Sequence, residues 1–237
     1  MAKQPYLKNY NMAAIHIDKS PSSWAVLPFY GVGALFFVLL CLLLFLSADV
    51  LAQHYFSPQL LAIAHTAALG WGTMLIFGAA YQLLPVICGK ELFSAGCAFA
   101  SFAFLCIGSM GLIYSFWTFQ VGFIMITSGA FIVAAACCYA INVFFTSAFC
   151  RAHRFEQAFL ISSACWLLIT TTAGLLLAIN LVHTFIPRNH IDFLKLHAHA
   201  GLVGWFLQLI TGVSIKLIPM FLLGKSNKEH LLKKAFL

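Results

Sequence analysis

Residues 65–85 read HTAALGWGTMLIFGAAYQLLP, and residues 199–219 read HAGLVGWFLQLITGVSIKLIP. Each stretch is a His, four residues, Gly-Trp, six residues, a Gly, six residues and a Pro. The pairs His65/His199, Gly70/Gly204, Trp71/Trp205, Gly78/Gly212 and Pro85/Pro219 are therefore all 134 positions apart. A recurrence with every spacing intact marks a duplicated structural unit. Both copies lie in apolar runs long enough to cross a bilayer. The chain thus sets one imidazole at the same depth in two related helices.

Composition fixes the class around this repeat. The chain has 237 residues, 62% of them hydrophobic and only 8% charged, with 24 Phe. A soluble domain of this length has no interior large enough for so much apolar surface. The long runs are apolar on every face and lack the alternation of a barrel strand, so an all-α integral membrane protein is expected. In such a chain the net charge of +7 is a topology signal, and no nucleic-acid partner is implied. Residues 1–23 are polar and carry no short apolar core, so no cleavable signal peptide is expected. The eight Cys are scattered, without a CxxC or CxxCH motif, and read as small apolar filler rather than as a disulfide framework.

Six spans are predicted, at about 24–47, 59–88, 92–116, 120–149, 158–182 and 196–223. They form one transmembrane domain over 24–223 whose internal repeat pairs about 24–89 with 158–223. A polar tail (1–23) precedes it and a basic tail (224–237) follows. Ten Lys/Arg fall on the side of the two tails: three in the first tail, Lys90, Arg151, Arg154 and four in the last. Arg188 and Lys195 fall on the other side, while Lys216 lies inside the sixth span and is expected to snorkel. The positive-inside rule then places both termini in the cytoplasm, as expected for a multi-pass protein of the cytoplasmic (inner) membrane. His65 and His199 enter from the outer side, within the first two turns of spans two and six.

A His inside a membrane span marks a site by default. On a regular helix His65 shares its face with Leu69, Gly72, Ile76 and Leu83, while Gly70, Gly78 and Pro85 fall opposite. Span six divides likewise, with His199, Val203, Phe206, Ile210 and Leu217 set against Gly204, Gly212 and Pro219. One face offers an imidazole above a flat aliphatic wall and the other allows close backbone approach. That suits a planar apolar cofactor or a buried metal. A His at the start of a helix also serves simply as an interfacial residue bonded to a carbonyl; the duplication favours the ligand role. His197 lies about 200° around the helix from His199, so the two cannot face one metal unless the helix begins at or after His197. His197 is either a ligand or a cap. His183, His190 and Asp192 either join a metal or proton-entry cluster or are solvated loop residues, and Asp49 and His54 read similarly. Asn142, Asn180 and Thr170 to Thr172 are polar enough to link helices.

These motifs resemble the haem-copper oxidase subunit I superfamily. AHTAALGWGTMLIFG is similar to the second span of cbb-type oxidases, where an HT-x-A stretch carries a low-spin haem ligand; His65-Thr66 matches it. HAHAGLVGWFLQLITGVSIKLIPMF resembles the sixth span, with a copper-ligating His twenty residues before a Pro, as His199 stands before Pro219. The same pattern resembles the NnrS family of haem- and copper-containing membrane proteins linked to nitric oxide. The resemblance covers spans two and six, and the rest only as apolar helices. It implies half of a twelve-helix bundle in which the 134-residue offset is one four-helix unit.

By that resemblance His65, with Gly72 on its face, is the haem site, while His199 and His197 are metal ligands. The implied cofactors are haem and copper, and the implied activity is respiratory redox or gas chemistry on oxygen or nitric oxide. A cytochrome c or quinol donor would serve an oxidoreductase of this type. The family's other copper and haem ligands lie in later spans, and its cross-linked tyrosine is replaced by Ala200 to Val203. Completion by the remaining half of a longer subunit, completion by self-association, and a relic without redox activity all stay open. Two further classes compete: an NnrS-like haem or copper protein without turnover, and a packing or transport protein. The scarcity of carboxylates in the spans argues against a proton-coupled transporter and a proton pump.

Overall fold

A computed structural model describes residues 21–49, 51, 54, 56–148, 154–186 and 190–222. The structure is helical, with no strand among the described residues. Most of both predicted tails, together with Arg151, His153 and Arg188 and the side chain of Lys216, lie outside the described residues. After a short 3₁₀ turn at Ser23–Ala25, α1 spans Leu27–Leu46 and α2 runs over Pro58–Cys88. Helices α3 (Ala95–Trp117), α4 (Phe123–Ser147) and α5 (Arg154–Val182) follow. The last helix, α6, comprises His190–His199, Ala200–Leu207 and Gln208–Phe221 in succession. Among the described residues six helices are long and apolar enough to cross a membrane, with mean hydropathy between 1.4 and 2.7 in their most apolar windows. Trp24, Phe45, Phe123 and Phe221 stand exposed on their outer surfaces, as lipid-facing side chains do.

The helix ends follow local chemistry. Pro58 opens α2 behind Ser57, whose Oγ accepts from Leu60 N, a conventional N-cap. Gly89 closes α2 in the left-handed region at φ 63°, and Lys90 N–H donates to Pro85 O. Ser94 caps α3 by accepting from Cys97 N. Its own backbone is held on both sides by Asn142 of α4, with Ser94 N to Oδ1 at 2.9 Å and Nδ2 to Ser94 O at 3.0 Å. The polar link expected at Asn142 is thus made, between α4 and the turn that starts α3.

The sixth helix begins at His190, earlier than the 196 expected from hydropathy. Asp192 lies in its first turn, where a carboxylate is favoured by the helix dipole. Asn180 accepts from the N–H of Phe185 and Ile186, which ties the residues just after α5 back to its last turn.

The decisive departure from a regular helix lies inside the repeat itself. Thr66–Thr73 and Ala200–Leu207 are both π-helical, again 134 residues apart. Each begins directly after the repeated His. The wider turn changes which residues align: His65, Leu69, Thr73, Phe77 and Tyr81, four apart, all turn inward. The straight-helix face expected through Gly72 and Ile76 is therefore corrected by one residue beyond Leu69, to Thr73 and Phe77. In α6 the inward file is His197, Gly201, Trp205 and Leu209.

Packing depends on small residues, since apolar area gives no drive between helices surrounded by lipid. In both copies the glycine before the repeated Trp receives an aromatic ring from the preceding span. A Cβ on Gly70 would overlap Phe36 of α1, and one on Gly204 would overlap Trp166 of α5. At mid-depth the core is aromatic. Phe77 of α2 stacks on Tyr139 of α4 with centroids 4.1 Å apart, and Trp205 of α6 meets both rings edge-on at 6.2 and 5.5 Å. These contacts tie α2, α4 and α6 together. Trp71, the counterpart of Trp205, instead lies at the surface against Phe37.

Candidate functional site

Toward the N-terminal ends of α2 and α6, on one side of the aromatic layer, is a cavity of about 440 Å³. Spans two to six all contribute to its wall, which is overwhelmingly apolar. His65 and His197 both line it, whereas His199 is exposed and does not.

Each imidazole is oriented by a backbone carbonyl. His65 Nδ1 donates to Leu61 O at 2.8 Å, the carbonyl four residues earlier. His197 Nδ1 donates to Thr170 O of α5 at 3.0 Å. A proton held at Nδ1 leaves the neutral ring with its lone pair on Nε2, the usual arrangement of a metal-ligating His. The two rings are nearly parallel, at 15°, with centroids 6.4 Å apart. Phe116 of α3 packs on His65 at 4.7 Å. Gly174 leaves room for His197, since a Cβ there would lie 2.9 Å from its Cε1.

Two polar atoms beside the cavity are unsatisfied. Thr170 and Trp205 line it through other atoms, while Thr170 Oγ1 and Trp205 Nε1 are buried away from its surface without a hydrogen-bond partner among the described residues. Such groups inside a membrane protein are costly unless something else meets them.

The residues singled out from the sequence separate as follows. His65 is at the cavity, as the ligand reading requires. His197 joins it, although the repeat pointed to His199. His199 makes the same local bond as His65, Nδ1 to Lys195 O at 2.8 Å, but faces the outside of α6. Gly72 is not part of the cavity wall; it receives Phe206, with a Cβ position 3.2 Å from that ring. This is where α2 and α6 touch below the cavity. His190 lines the cavity mouth, whereas His54 and His183 do not line the cavity. Asp192 pairs with Lys195 at 3.7 Å on the surface. Among the described residues no three His, Cys, Asp or Glu side chains come together as a metal-binding group, and the described Cys are unbridged.

The pairing of His65 with His197 was missed because the repeat draws attention to equivalent residues. The signal was the HAH triplet: two His about 200° apart on one helix present one ring to each side. Comparison with protein-family models, with curated proteins and with solved structures finds no match for this chain.

Proposed function

We propose that this is a multi-pass membrane haem protein in which His65 and His197 hold one haem iron between α2 and α6. The observation that carries the reading is the paired imidazoles. Metal–imidazole bonds of about 2 Å, with each ring centre about 1 Å behind its nitrogen, put two rings about 6 Å apart when their Nε2 atoms face each other across one metal. The observed centroid separation is 6.4 Å. In direct van der Waals stacking the rings would be nearer, at about 4 Å.

The residues present fit the group. The cavity volume of about 440 Å³ lies within the range of about 300–1,000 Å³ that cofactor pockets occupy. Its aliphatic and aromatic wall suits a flat apolar macrocycle. Leu61 O and Thr170 O fix the two imidazole tautomers, so both side chains are pre-set as ligands.

When bound, haem held by two imidazoles supplies one-electron redox chemistry. With His65 and His197 both holding the iron, no place would be left on it for oxygen or nitric oxide, which favours an electron carrier over an oxygen- or nitric-oxide-reducing enzyme. A cytochrome c or a quinol is the class of partner such a carrier needs. Among the described residues no three candidate metal ligands gather at His199, and copper there is not carried into the proposal. The positive-inside asymmetry supports cytoplasmic termini in a cytoplasmic membrane, which would put the cavity in the outer half of the bilayer.

The test is the absorption spectrum of the purified protein with its haem content. A sharp Soret band with split visible bands on reduction is expected, at one haem per chain. Protein that takes up no haem when it is supplied during expression would refute the reading.

A further inference from the structure

The cavity carries a second set of groups that axial ligation does not use. Near the start of α6, Lys195 is the only charged side chain lining it among the described residues. His190 lines the same region. The tautomer of His190 follows from its neighbours. Asn180 Oδ1 accepts from Phe185 N and Ile186 N at 3.0 and 2.9 Å, so the amide is fixed with Nδ2 toward His190. Asn180 Nδ2 donates to His190 Nδ1 at 3.1 Å. With Nδ1 an acceptor, neutral His190 carries its proton on Nε2 and has a donor free for a ligand. Phe56 packs edge-on against the ring at 5.8 Å and holds its plane.

Lys195 is engaged only weakly elsewhere. Its contact with Asp192 is 3.7 Å long, and both side chains are more than half exposed. A pair of this kind contributes little and yields to a better acceptor. Lys195 and His190 thus bring an ammonium and an imidazole N–H to the residues that line the cavity, with no other charged side chain among the described residues of its wall.

Resting on the haem reading, the geometry points to His190 and Lys195 as the pair that binds the carboxylates of the cavity's ligand. The ligand class is a planar apolar macrocycle with two free carboxylates on one edge. A carboxylate cannot be left in the apolar remainder of the cavity without a large desolvation cost. The carboxylate edge must then turn to the His190–Lys195 end, and this fixes the ligand's orientation. Charge-assisted bonds of this type are the stronger kind.

The experiment uses the full chain, freed of haem, titrated with haem b and with its dimethyl ester. The wild type should bind the diacid at least about tenfold more tightly than the diester. The H190L/K195Q double variant should bind both alike, near the diester affinity of the wild type. K195Q alone, at an exposed position, should narrow the preference by about threefold even if the double variant does not fold. Every bound form should show the same low-spin spectrum, because His65 and His197 are untouched. Equal affinities in the wild type, or an unchanged preference in the variants, would overturn the assignment while leaving the axial pair standing. No Soret band with either porphyrin would overturn both.

Discussion

His65 and His199 make the same hydrogen bond, Nδ1 to the carbonyl four residues earlier at 2.8 Å, yet only His65 faces the interior. Each also stands at the start of an identical eight-residue π segment. The duplication has preserved local geometry and not surroundings. Helix α2 turns its His inward and Trp71 outward; α6 turns Trp205 inward and His199 outward. π segments recur at functional sites because they re-aim side chains within an otherwise regular helix.

From this asymmetry, His65→Ala and His197→Ala should each cut haem content at least about tenfold, while His199→Ala should leave it within error of wild type. Pyridine haemochrome assay against protein concentration measures this. Loss on His199→Ala with retention on His197→Ala would reverse the assignment.

Gly174→Val should disturb the site without removing a ligand. Its side chain would enter the space of His197, whose Cε1 lies 2.9 Å from the Cβ position. The His197 ring must tilt or withdraw, so a mixture of low- and high-spin haem is expected in the absorption spectrum. An unaltered low-spin spectrum would show that His197 does not need this space.

The two repeated Trp should differ in their contribution to stability. Trp205 is buried against Phe77 and Tyr139, and Trp205→Ala should cost about 3–5 kcal/mol. Trp71 is exposed against Phe37, and Trp71→Ala should cost less than about 1 kcal/mol. Thermal unfolding in detergent, followed by circular dichroism, separates the two. Equal costs would contradict the asymmetric packing of the repeat.

Asn142→Leu removes both bonds that hold the Ser94 backbone. A loss of about 1–3 kcal/mol is expected, since the part-buried Ser94 groups lose their partners. The haem spectrum should not change, because Asn142 does not line the cavity. The same unfolding experiment reports it.

The six spans were legible because length and apolarity alone decide them. The repeat was legible too, and so was one of its consequences, since Gly70 and Gly204 do admit a ring from the preceding helix. The π segments were not. In α2 the Oγ1 atoms of Thr66 and Thr73 bond back to Ala62 O and Ala68 O, but α6 has Ala200 and Leu207 at those positions and still forms the segment. No local residue pattern therefore signals it. One extra residue in the turn moves the inward face from Gly72 to Thr73, which is why a straight-helix projection went astray. His65 stood out as a candidate because an imidazole in an apolar run is expensive and therefore conspicuous. The choice of His197 over His199 depends on how α5 and α6 are rotated, and that is set by Thr170 O and Gly174 in a different span. The bond between His190 and Asn180 was not legible because it depends on α6 beginning at His190.

The central claim, one metal between two nearly parallel imidazoles, is tested most directly by electron paramagnetic resonance of the oxidised, haem-loaded protein. Rings inclined at 15° predict a rhombic low-spin ferric signal with all three principal values resolved, and its loss in both His65→Ala and His197→Ala. A high-spin axial signal in the wild type, or a rhombic signal that survives in either variant, would contradict the account.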